Sequence, residues 1–294
     1  LTQMRLSLLG SDNALGQAVL QQAESEAIDI ASLAIVGEAC IKNGVAAWLM
    51  KSRPSLLLNT TPYVDGFSLY SSFQRLPEQE HFNAWLSNYC EKQGIILLQV
   101  SSYLIFDGAR AIAYDEQAAI APLAPIGKSL ACIEHQVRTF CPQHLLLRFG
   151  WLLDESKGGY LDCFLRKAVQ GAKLFAADDR RGNPTTVDDA ARVLLAILKQ
   201  IDCGATPWGT YHYGSNEAST EFALQQAILD EAKRLYPSLR ATLLARPHEL
   251  CPDAKNTPQH TVLSCKKILE TFGIKARTWR VGLEDVLRRY FQQA

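Results

Sequence analysis

The sequence has no net charge, with 30 Lys and Arg against 30 Asp and Glu in 294 residues. Without a basic excess there is no overall electrostatic footprint for nucleic acid or an anionic membrane surface. No run approaches the roughly 18 consecutive apolar residues of a membrane-spanning helix. A secretory leader is not expected either, because Leu6-Ser7-Leu8-Leu9 is a short apolar stretch that runs straight into glycine. The eight cysteines (Cys40, Cys90, Cys132, Cys141, Cys163, Cys203, Cys251 and Cys265) include no C-x-x-C pair. A disulfide framework is therefore not expected, and reduced, mostly buried thiols in a cytoplasmic protein are. The six histidines lack H-x-x-x-H and His/Cys spacing, so no metal site is assigned. Internal repeats and low-complexity segments are also lacking.

What is present is a large apolar fraction, 48%, with only 20% charged residues. That is enough for one large α/β domain or two intimate ones, with a sizeable core. Apolar runs alternate with helical stretches. Strands are expected at Met4–Leu9, Asp29–Val36, Ser55–Asn59, Leu97–Ser102 and Leu145–Trp151, and helices at Val45–Lys51, Gln79–Lys92, Leu130–Phe140 and Thr220–Tyr236. The alternation predicts an α/β fold with a doubly wound, Rossmann-like parallel sheet.

The first strand runs into Gly10-Ser11-Asp12-Asn13-Ala14-Leu15-Gly16. A dinucleotide loop uses glycines for a tight turn, close diphosphate approach and close helix packing. Gly10 and Gly16 suit the first and third roles. Asn13 stands at the second, where asparagine tolerates positive φ but its side chain takes space next to a diphosphate. Two glycines alone are also what an ordinary strand-to-helix turn uses.

The most informative stretch is Ser101-Ser102-Tyr103-Leu104-Ile105-Phe106-Asp107-Gly108, read with Pro125-Ile126-Gly127-Lys128-Ser129-Leu130. Together they resemble the Ser-Thr-Asp-Tyr-Val-Phe-Asp-Gly and Tyr-Gly-x-Ser/Thr-Lys segments of the dTDP-4-dehydrorhamnose reductase family, within the extended short-chain dehydrogenases. Asn59-Thr60-Thr61-Pro62-Tyr63 is similar to that family's Asn-Ala-Ala-Ala-Tyr, and Asp178-Asp179-Arg180-Arg181-Gly182-Asn183-Pro184-Thr185 to its Asp-Asp-Gln-x-Gly-x-Pro-Thr. Thr210-Tyr211-His212-Tyr213-Gly214 and Pro258–Lys267 continue the resemblance, with Thr257 and His260 at the family's arginine and asparagine.

The resemblance implies a catalytic hydroxyl at Ser102 and cofactor contacts at Gly10, Asn13, Ala14, Leu15, Gly16, Asn59, Thr60, Thr61 and Ser101. It implies substrate contacts at Trp151, Tyr160 and Arg180. It also implies a division into a dinucleotide-binding-type domain, 1–150, and a smaller C-terminal substrate-binding region, 151–294, with part of 182–215 returning to the sheet. The family's catalytic tyrosine and lysine fall on Ile126 and Leu130, which hold neither a proton to give nor a charge. Lys128 lies about 200° round the helix from Leu130 and is expected to face away. Tyr103 is the one nearby phenol. The second strand's end offers Leu33 and Ala34 to a cofactor ribose, with Glu38 beyond.

Three readings follow. One is a non-catalytic relative that binds a nucleotide, a nucleotide sugar or a protein partner. Another is an NAD(P)H-dependent nucleotide-sugar 4-keto reductase with an unusual proton donor. The third is a structural or assembly protein with a collapsed cleft. NAD(P) is expected to bind weakly, with no cofactor as the default, and a homo-oligomer is among the expected partners.

Overall fold

Leucine-rich tetrads that point side chains alternately to two covered faces build the centre of the molecule. The computed structural model describes residues 5–35, 41–63 and 76–293. In chain order it contains β1 (Leu6–Leu9), α1 (Ala14–Ser25), β2 (Ile30–Leu33), α2 (Ile41–Ser52), β3 (Leu56–Asn59), α3 (Leu76–Gln93) and β4 (Ile96–Ser102). A 3-10 turn, Tyr103–Ile105, leads to α4 (Pro125–Phe140), β5 (His144–Phe149) and β6 (Trp151–Leu153). Then come α5 (Tyr160–Val169), β7 (Lys173–Ala177), β8 (Arg181–Gly182), β9 (Pro184–Thr186), α6 (Val187–Asp202) and β10 (Gly209–Tyr213). The chain closes with β11 (Ser219–Thr220), α7 (Glu221–Leu235), β12 (Thr242–Arg246), α8 (Lys266–Phe272) and α9 (Arg280–Gln293).

Six strands form one parallel sheet in the order β10-β5-β4-β3-β1-β2. Leu8, Leu56, Leu58, Leu98, Val100, Leu145 and Leu147 face α1 and α6, whereas Leu9, Leu57, Leu97 and Leu146 face α2, α3 and α4. Each fully buried leucine of this kind contributes roughly 1.5–3 kcal/mol of apolar burial. The sheet is therefore doubly wound, and its strands read as continuous apolar runs because both faces are covered. The segment 182–215 supplies β9, α6 and the edge strand β10, which pairs in parallel with β5.

Several boundaries differ from the sequence reading. The second strand stops at Leu33, and Glu38 lies outside the described residues, as does Met4. The run Leu145–Trp151 is two strands rather than one. At Gly150 the chain leaves the sheet, its amide bonding Tyr213, and Trp151 then pairs with β9 instead. The helix after the central strand begins at Pro125, not Leu130, because proline fits the first helical turn where no N–H partner is needed. That shift places both Ile126 and Leu130 on α4.

A third apolar cluster joins the 3-10 turn and α4 to α5, α7 and α9, and contains Tyr103, Phe106, Ile126, Leu130 and Trp151. No helix among the described residues is long and apolar enough to cross a membrane. Among the same residues no group of three or more His, Cys, Asp or Glu is arranged to hold a metal ion.

Candidate functional site

In an open α/β sheet, ligands gather at the carboxyl ends of the strands where the strand order reverses. Here the chain lays β2 on one side of β1 and β3 on the other, so the reversal falls between β1 and β3. The residues that follow these strands are Gly10 and Thr60. Gly10 has φ +94°, a conformation that suits glycine, and its amide bonds the Leu33 carbonyl. A Cβ on Gly16 would lie 2.2 Å from the Gly10 carbonyl oxygen, so glycine is what lets α1 pack against the loop.

Asn13 does not take the positive φ open to asparagine. It is extended, φ −90° and ψ 163°, and caps α1 by accepting the Gly16 N–H at 2.9 Å. Its amide nitrogen donates to the Thr60 carbonyl at 2.9 Å and reaches the Thr60 hydroxyl at 3.2 Å. The Thr60 hydroxyl is 3.0 Å from the carbonyls of both Leu9 and Gly10. Asn59 turns inward, donating to Asn83 and Gln99 while its oxygen accepts from the Thr61 amide and hydroxyl. Ala14 and Leu15 open α1, and Leu15 is fully buried.

At the end of β4 the two serines diverge. Ser101 donates to Glu134 of α4 at 2.6 Å. Glu134 holds a two-point contact with Arg148 of β5, at 2.9 and 2.6 Å, and a further bond from Arg138. Burial alone would raise the Glu134 carboxyl, but Arg148 first, then Ser101 and Arg138, bring it below the ordinary carboxylate range. Arg148 in turn contacts Nε2 of His212 at 3.1 Å, and Nδ1 of that ring meets the Tyr114 carbonyl at 3.0 Å. Arginine has no acceptor, so Nε2 accepts and Nδ1–H donates, which makes His212 neutral. Burial first and the Arg148 charge second lower His212 to about 3. Sequence reasoning missed this network. Its one local signal was an arginine inside the otherwise apolar run Leu145–Phe149.

Ser102 caps the 3-10 turn and faces the other way, into a cavity of about 10 Å³ shared with Leu15, Tyr63, Phe149 and Leu152, room for about one water. The Tyr63 hydroxyl donates to Asp154, joining the chain after β3 to the chain after β6.

Ile126 and Leu130 occupy the first turns of α4 at 4% and 3% exposure, inside the cluster that holds Tyr103. A Cβ on Gly127 would lie 2.2 Å from the Leu104 carbonyl oxygen, so α4 rests directly on the 3-10 turn. Lys128 is exposed and faces away from Leu130, as helical spacing requires.

The three expected substrate contacts come together in the second half. Trp151 is fully buried, its indole N–H donating to Thr261 and its ring lying against Gly182. The Arg180 guanidinium lies 5.6 Å from the Trp151 ring and 3.6 Å from the carboxylate of Glu221. Tyr160 starts α5, stacks on Phe164 and accepts from Gln225 at 2.7 Å. His260 and Thr257 are near neighbours of this region: His260 bridges to Arg181, and the Thr257 hydroxyl bonds His248.

A family model described as the RmlD substrate binding domain matches residues 4–292. The chain belongs to that family. The dTDP-4-dehydrorhamnose reductase of Aggregatibacter actinomycetemcomitans is 27% identical, the match covering 96% of this chain and 98% of the relative. The solved dTDP-4-dehydrorhamnose reductase of Clostridium acetobutylicum superimposes with a TM-score of 0.81 at 17% identity, over 99% of this chain and 100% of that one. The Bacillus anthracis reductase, solved in complex with NADP, gives a TM-score of 0.77 at 17% identity, over 100% of this chain and 99% of that one. These structural likenesses establish the shared fold.

Proposed function

We propose that this chain is a family member that binds a nucleotide or nucleotide sugar in the cytoplasm without the family's proton transfer. It acts by that binding or by partnering another protein. The observation that carries the reading is the pair Ile126 and Leu130. They stand where the resemblance puts the acid and its charged neighbour, and they are buried among apolar groups. General acid catalysis, worth about 10²–10⁴-fold, needs a titratable group within reach of the substrate oxygen. The resemblance puts ligand contacts on the second-half side at Trp151, Tyr160 and Arg180, the aromatic and guanidinium groups that a sugar ring and a phosphate use. NAD(P) belongs to this reading as a weak ligand, poorer than micromolar, a limit that corresponds to about −8 kcal/mol.

The test is a turnover assay of the purified chain with NADPH or NADH and dTDP-4-dehydrorhamnose, the substrate named by the relatives, beside a titration with dTDP-sugars. The expected outcome is binding of a dTDP-sugar with cofactor oxidation at background. Steady oxidation that disappears in Ser102→Ala would overturn the reading.

A second reading has one observation in its favour. Burial alone would lower Arg180, but the Tyr103 phenol leads the neighbours that raise it above the ordinary range, ahead of Glu221. A phenol beside a guanidinium, one residue from Ser102, would give an acid and charge pair for an active reductase. Loss of turnover in Tyr103→Phe would identify it.

A further inference from the structure

Asn13 and Thr60 depart from small residues at two places that are far apart in sequence, and their side chains bond to each other. They do so at the reversal of strand order, the crevice where this fold receives a dinucleotide. A diphosphate is held there by free backbone N–H groups at the start of the first helix. In this chain the Gly16 N–H is already bonded to Asn13 Oδ1 at 2.9 Å. The other end of the same amide bonds the Thr60 carbonyl at 2.9 Å and lies 3.2 Å from its hydroxyl. Thr60 is fully buried and its hydroxyl is held against the Leu9 and Gly10 carbonyls. The Asn13 side chain therefore spans the crevice from α1 to the end of β3, with both ends of its amide engaged.

We propose that Asn13 and Thr60 form a latch that occupies the diphosphate position and makes the crevice select against dinucleotides. The latch rests on the reading that the chain does not use the family's cofactor chemistry, but it concerns binding alone. A diphosphate entering this crevice must displace the Asn13 amide and break its bonds to Gly16 and Thr60. Asn13 holds ordinary extended dihedrals, φ −90° and ψ 163°, so replacing it strains no backbone. Thr60 by itself contributes less, because the Asn13 bond to the Thr60 carbonyl survives when the hydroxyl is removed.

The test is calorimetric titration of NADPH and NADH into the full chain and four variants, each first checked for a cooperative melt. Asn13→Gly and Asn13→Ala are expected to bind at least one dinucleotide tenfold or more tightly than the starting protein, a change of about 1.4 kcal/mol. Thr60→Ala is expected to gain less than threefold. Asn13→Asp keeps the helix cap and sets a carboxylate against the phosphate, so it is expected to gain nothing. Sub-micromolar binding by the starting protein overturns the proposal. So does a folded Asn13→Gly or Asn13→Ala that binds no more tightly, or an Asn13→Asp that gains as much as they do. Turnover by the starting protein would sink the preceding functional reading, while these affinities would still decide the latch.

Discussion

Lowering the pH from 8 to 5 should weaken the fold through His212. The ring is fully buried, neutral, and bonded at Nε2 by the Arg148 guanidinium. Protonation would turn an acceptor into a donor facing a donor. The group falls from 6.5 to about 3 in the folded chain. For a group whose folded pKa is depressed below its unfolded value, the unfolded chain binds the proton first, so stability declines as pH drops below the unfolded value. Between pH 8 and pH 5 that residue alone should remove about 2 kcal/mol of stability. The groups facing it are Arg148 on β5, Glu134 on α4, Glu116, whose carboxylate accepts the His212 amide, and Lys267 on α8. His144 and His248 are also lowered, by burial first, and act in the same direction. The assay is therefore a difference between two proteins. Denaturant unfolding of the starting chain and of His212→Gln is followed at pH 8 and pH 5. The starting chain should lose about 2 kcal/mol more than the variant over that interval, whatever their stabilities at pH 8. Equal losses would refute the neutral, arginine-bonded imidazole and with it the proton placement derived for the whole network.

Glu134→Gln leaves the Arg148 charge buried without its carboxylate and should cost about 3–5 kcal/mol by the same unfolding assay. Glu134→Gln combined with Arg148→Met should recover much of that loss, because no uncompensated charge remains. In α4, Ile126→Tyr alone should titrate above the ordinary tyrosine range of about 10, since its surroundings are apolar. Adding Leu130→Lys one turn on should bring that phenol down, read as a shift in the difference absorbance titration between the two variants. An unchanged titration would mean that the two positions do not face a common space.

The sheet was legible because its strands are leucine runs bounded by glycine, proline and asparagine, and because both faces are covered. The switch from Phe149 to Trp151 was not, since the run stays apolar while its hydrogen-bonding partner changes at Gly150. Asn13 was read for its tolerance of positive φ. The stronger local signal was its place three residues before Gly16, where an asparagine side chain caps a helix. Ser101, next to Ser102, was read as a cofactor contact from the resemblance. Alternation along a strand sends the two hydroxyls apart, and Ser101 meets a carboxylate 33 positions away that no local pattern announces. Arg148 did carry a warning, because a charge inside a buried strand requires a partner. The partner's identity came only from the packing of α4 on the sheet.

The placement of β10 has a consequence for how the chain can be divided. A fragment ending near Gly150 would keep five strands of the sheet but lose the one that pairs along β5 from Leu145 to Phe149. It would also lose α6, which shares one apolar cluster with α1 and with β1, β3, β4 and β5. Such a piece would present an open, leucine-rich strand edge, the kind of surface that recruits a strand from another molecule. Expression of the first half as an independent module would therefore select for self-association, and the two halves of the sequence are best handled as one folding unit.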